Sequence, residues 1–114
     1  MNNYFKLSEL LVTDTKLKNV PTAFDVVENL RELSCVLSVL RCLVGSPIKC
    51  NSGYRSDAVN SAVGGVPGSL HLLGRAADIT SVDIVALRQY CSLFYYKGVF
   101  RECIDHDTYI HVAI

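Results

Sequence analysis

Charge of one sign is missing from this chain: 11 basic residues balance 11 acidic ones, for a formal net charge of zero. The Lys and Arg residues form no cluster and do not interleave with aromatics, which excludes nucleic acid as an expected partner. A long hydrophobic run is missing too. The longest apolar-rich stretch, Val36 to Val44, is broken by Ser38, Arg41 and Cys42, too short and too polar to cross a bilayer. The opening residues Met1-Asn2-Asn3-Tyr4-Phe5-Lys6 lack the basic and apolar blocks of a secretory signal. These absences predict cytoplasmic synthesis and no stable membrane association. Five cysteines (Cys35, Cys42, Cys50, Cys91, Cys103) are odd in number with no Cys-x-x-Cys pair, so buried free thiols are expected. Only Cys103 lies near residues that could back a nucleophile.

What is present is enough apolar material for a packed core. Half of the 114 residues are hydrophobic, which fits one globular domain spanning 1–114, expected to be a monomer. Leu7 to Leu11 reads as a short helix with Ser8 available as its cap. Pro21-Thr22 followed by Asp25 is a helix start signal. From there Val26, Leu30, Leu33, Leu37, Leu40 and Val44 recur at steps of four and three, the stripe of a long helix that Gly45 and Pro47 end. A strand over 47–51 leads to the turn Ser52-Gly53-Tyr54-Arg55. Ser56 then caps a short helix to about Val63, ended by Gly64-Gly65, and 66–74 reads as a flexible loop. Further on come a strand over 75–80, a helix opened by Ser81-x-Asp83, and two strands, 99–104 and 109–114, joined as a hairpin. The fold class is α+β, with an antiparallel sheet packed against helices.

Strand alternation then sorts the polar residues. Ile110, Val112 and Ile114 share one face of the last strand, and Ala77 and Ile79 share one face of the 75–80 strand. With those faces on the core, Asp78 and His111 emerge together on the open face, and the loop before Gly74 brings His71 alongside. Two imidazoles and a carboxylate are ligands that Zn2+ favours, and three protein ligands leave a position for water. Such an ion would activate water and polarise a carbonyl, the recipe for amide hydrolysis. A base and an oxyanion donor are then needed. His106 is the leading base candidate, with Asp105 and Asp107 as competitors. Arg55, through its planar fork of donors, is the candidate clamp for an oxyanion or a substrate carboxylate. Ser69 is a candidate for holding the loop or a ligand.

Asn51-Ser52-Gly53-Tyr54-Arg55-Ser56, Val63-Gly64-Gly65, the run Ser69-x-His71-x-x-Gly74-x-Ala76-x-Asp78 and the closing Ile110-His111-Val112 together resemble the zinc D-alanyl-D-alanine carboxypeptidase family. That family also includes the L-alanyl-D-glutamate endopeptidases of bacteriophages. The resemblance runs from about Leu7 to the C-terminus. It implies a zinc peptidase acting on peptidoglycan stem peptides, with His71, Asp78 and His111 as ligands and Arg55 as the transition-state or substrate-binding arginine. Many members carry an acid three residues before the last ligand as the general base, where this chain has Thr108. Others use a histidine five residues before it, which corresponds to His106. Tyr109 stands where a tryptophan is common, and joins Arg55 and Ser69 as a candidate for contact with substrate. The compact form is similar to phage lysis enzymes, which reach the wall after release from the cytoplasm. A second reading is a catalytically inactive, zinc-stabilised module that binds wall peptides or a virion partner. A fourth protein ligand, such as His106 or Cys103, would favour it.

Overall fold

In a computed structural model that describes residues 5–114, the long apolar stripe becomes helix α1, Phe24–Val44. Leu30, Leu33, Leu37 and Leu40 of that stripe are fully buried, each contributing about 1.5–3 kcal/mol by leaving water. Gly45 closes the helix in the left-handed region, φ 79°, its N–H donating to the Arg41 carbonyl. That conformation costs glycine nothing, which is why the stripe stops there. The expected start signal differs. Ala23 occupies the cap position with no side-chain cap bond, so Thr22 does not serve. The first short helix is a 3-10 turn, Leu7–Leu11. Lys6 stands at its cap in place of Ser8, and its N–H donates to the Glu9 carboxylate at 3.3 Å.

Strand β1 (Ile48–Ser52) is followed by helix α2 (Asp57–Ala62), a second 3-10 turn (Leu70–Leu73), strand β2 (Ala76–Ser81), helix α3 (Ile84–Tyr96) and the hairpin β3 (Glu102–Asp105) and β4 (Ile110–Ala113). The four strands form one antiparallel sheet in the order β1-β2-β4-β3, so the class is α+β. Alternation works as expected: Ala77, Ile79, Ile110 and Val112 all belong to the core. Helix α3 presents Leu87, Cys91 and Phe94 to it, and Asp83 caps that helix by accepting from the Ala86 N–H at 3.1 Å.

All five cysteines are free, but burial holds only for some of them. Cys50 and Cys91 are buried, Cys103 is half-buried, and Cys35 and Cys42 are exposed. The exposed pair sits seven residues apart on the solvent side of α1, where apolar character alone does not dictate a core position. Burial pushes the thiols of Cys50 and Cys91 up to about 12. It also raises that of Cys103, which packs against the core. None of the three is a thiolate at neutral pH.

One irregularity in β1 matters for the site. Cys50 pairs with Ile79, but Ser52 pairs with Asp78, so a bulge at Asn51 inserts an extra residue. Without it, Ser52 would follow Ile48 and Cys50 toward the core. The bulge turns it to the opposite face.

Candidate metal centre

Asp78 and His111 are direct cross-strand partners on the two central strands. His111 Nδ1 lies 2.9 Å from Asp78 Oδ1, and His71 Nε2 lies 3.4 Å from the same oxygen. The two rings sit with centroids 5.2 Å apart. One ligand atom from each residue falls within 4.8 Å of the others, and this is the only such cluster of His, Cys, Asp or Glu among the described residues. Cys103, on the core side of its strand, is not part of it.

His71 does not arrive on a flexible loop. It lies on the second 3-10 turn, which Ser69 caps by accepting from the His71 N–H at 3.2 Å. Gly74, φ 71°, ends the turn with its N–H on the His71 carbonyl. The ring itself is locked from behind. Its Nδ1 lies 2.8 Å from the Gly53 carbonyl oxygen, a bond in which the nitrogen must donate. That leaves Nε2 as a lone-pair donor aimed at the cluster. Gly53 can hold this position because it has no side chain: a Cβ there would come 2.5 Å from the Leu10 carbonyl oxygen. His71 is almost fully buried.

Arg55 closes a third side. Its NH2 reaches Asp78 Oδ2 at 3.4 Å, its Nε donates to Ser52 Oγ at 3.0 Å and its NH1 donates to Asn60 Oδ1 at 3.3 Å. A guanidinium has five N–H donors, so two remain outside these bonds. The backbone around Arg55 is pinned by buried Asn19, whose amide donates to the Tyr54 carbonyl at 2.8 Å and accepts from the Ser56 N–H at 2.8 Å. A cleft of about 220 Å³ opens beside Arg55, lined by Val12, Asp14, Asn51, Ser52, Val59 and Val63 among others.

Electrostatics match the geometry. Burial alone would raise the Asp78 carboxyl, but the hydrogen bond from His111 and the close approach of the His71 ring outweigh it. The group is held well below the usual carboxylate range. The Asp78 bond in turn lifts the His111 imidazole above its ordinary value against its own burial, with help from Glu102. Two imidazoles and an ionised carboxylate converging in a largely buried cluster fit a divalent metal. Tetrahedral ligand atoms at 2.0–2.1 Å from an ion stand about 3.3 Å apart, close to the 3.4 Å between His71 Nε2 and Asp78 Oδ1.

The remaining sequence candidates sit at the hairpin end. His106 is exposed, stacked on Tyr109 with centroids 4.6 Å apart and planes 14° from parallel. Its N–H donates to the Tyr109 carbonyl at 2.9 Å, extending the ladder so that both share the face of His111. Asp105 is engaged by the Arg88 guanidinium and accepts from the Asp107 N–H at 2.9 Å. Those bonds hold its carboxyl below the ordinary value. Asp107 takes a left-handed φ of 70° at the tip.

Sequence reasoning missed Glu102, whose Oε1 lies 2.9 Å from His111 Nε2. Alternation along 99–104 held that signal: Cys103 faces the core, so Glu102 and Ile104 face the site. It also missed Asn19 and Asn60, which no local pattern marks. No curated protein matches this chain. The Peptidase M15 family model matches residues 3–113, and the chain belongs to that family of metal-dependent peptidases.

Proposed function

We propose that this protein is a zinc peptidase that hydrolyses an amide bond beside a D-amino acid in peptidoglycan stem peptides. Family membership supports action on peptidoglycan in general. The observation that carries the finer reading is the shared Asp78 oxygen, met by His111 Nδ1 and His71 Nε2 with the His71 ring already oriented by Gly53. Zinc held by His71, Asp78 and His111 would polarise the scissile carbonyl and activate water.

The chain's own groups then do the rest. His106 takes the proton of the attacking water as the new C–O bond forms, and delivers it to the amine as the C–N bond breaks. Asp105 is poorly suited to that task, because Arg88 and the Asp107 N–H already occupy its oxygens. The two uncommitted N–H groups of Arg55 meet the charge developing on the carbonyl oxygen, or a substrate carboxylate seated in the adjoining cleft. The D-Ala-D-Ala bond and the L-Ala-D-Glu bond both suit this arrangement. A lysis role, in which the enzyme meets the wall after release, is consistent with either.

Release of muropeptides from purified peptidoglycan tests the reading, with a chelator control and product masses to name the bond. Chelator-sensitive release is the expected result. A folded, zinc-loaded protein that releases nothing across several wall types overturns it in favour of a module that binds wall peptides.

A further inference from the structure

His111 is the one ligand whose far nitrogen meets a side chain rather than the backbone. Its ring is sandwiched along its own axis, with Nδ1 at 2.9 Å from Asp78 Oδ1 and Nε2 at 2.9 Å from Glu102 Oε1. Glu102 stands on edge strand β3, opposite Ala113, diagonal to His111 on the same face of the sheet. A carboxylate only accepts, so the bond requires Nε2 to carry the proton. Asp78 asks the same of Nδ1, so a metal that enters takes the place of the Nδ1 proton, and the Glu102 bond keeps the other proton on Nε2, leaving the Nδ1 lone pair for the ligand cluster.

We propose that Glu102 is the positioning residue of the metal centre, selecting Nδ1 of His111 as the metal-binding atom. This rests on the zinc reading above and extends it to a residue outside the ligand set. Glu102 meets the side of the ring remote from the cluster, so it acts through His111 and does not replace the acid absent at Thr108. The Glu102 side chain is 43% exposed, so its removal leaves little void in the packing. A carboxylate behind a ligating imidazole also raises its basicity, and losing such a partner typically weakens metal binding about 10-fold to 100-fold.

The test compares Glu102→Ala and Glu102→Gln with the parent protein by chelator-competition measurement of zinc affinity, alongside nitrogen NMR of the His111 ring. Glutamine keeps an oxygen acceptor without the charge. The expected result is weakening of about 10-fold or more in Glu102→Ala, a neutral metal-free His111 ring with its proton on Nδ1, toward Asp78, and recovery of most of the zinc affinity in Glu102→Gln. Melting of the metal-free proteins should be the same for all three. Equal zinc affinity in Glu102→Ala and parent overturns the inference while leaving the zinc reading intact. A glutamine variant as impaired as alanine overturns it as well. A parent that binds no zinc overturns both.

Discussion

His71 and His111 meet the same oxygen of Asp78, yet they are held there by different means. His71 is almost fully buried and its rear nitrogen is fixed by a backbone carbonyl that only a glycine can present. His111 is 16% exposed, and its rear nitrogen is fixed by the side chain of an edge strand. Disturbing the first anchor therefore disturbs the fold, whereas disturbing the second should change the metal site and spare the fold. The difference separates residues that build the protein from residues that tune it.

The strongest way to break the comparison is to remove what the two histidines share. Asp78→Ala is expected to abolish metal binding outright, measured by metal content after dialysis; retention of stoichiometric metal would show that the histidines hold it unaided. Next comes the histidine outside the cluster. His106→Ala should lower muropeptide release by about 10²-fold to 10⁴-fold, the usual contribution of a general base, with metal content unchanged. An active variant would return the base role to Asp107 or Asp105.

Arg55→Lys should cost about 10²-fold in turnover, comparable to losing one oxyanion donor. An ammonium cannot reproduce the three-way fork to Ser52, Asn60 and Asp78. Equal turnover in the two forms would remove Arg55 from the mechanism. Gly53→Ala probes the buried anchor, because its new Cβ meets the Leu10 backbone. Overpacking of that kind costs about 1–3 kcal/mol, a drop of roughly 4 °C or more in melting temperature. Unchanged melting would mean that the backbone yields there easily.

The smallest effect is that of pH on the metal-free protein. The folded-state pKa of His111 lies above its ordinary 6.5, so the stability it adds is full below that value and fades as pH rises through the raised one. Asp78 lies below its ordinary 3.8, so its contribution is present above that value and fades on acidification. Chemical denaturation should find the metal-free form most stable between those limits. Metal affinity should follow the opposite slope above 6.5, because the Nδ1 proton of His111 must leave before the metal enters.

Much of this arrangement was legible in the sequence, for identifiable reasons. The α1 stripe, the Gly45 stop and the alternation that separates Asp78 and His111 from the core are local periodicities that tertiary packing did not override. The 3-10 turn carrying His71 was not legible, because four residues give no period and Ser69 resembles any turn serine. The bulge at Asn51 was hidden, since it depends on the pairing of β1 with β2. Asn19 and Asn60 act on segments distant in sequence. Glu102 was within reach, but its partner could be known only from the register of β3 on β4.

Gly53 is clasped between Leu10 in front and His71 behind, and the Tyr54 N–H donates to the Leu10 carbonyl at 2.7 Å. The first 3-10 turn thus serves as the backstop against which the candidate metal site is seated. Amino-terminal trimming that reaches Leu10 should loosen the Gly53 carbonyl that orients His71.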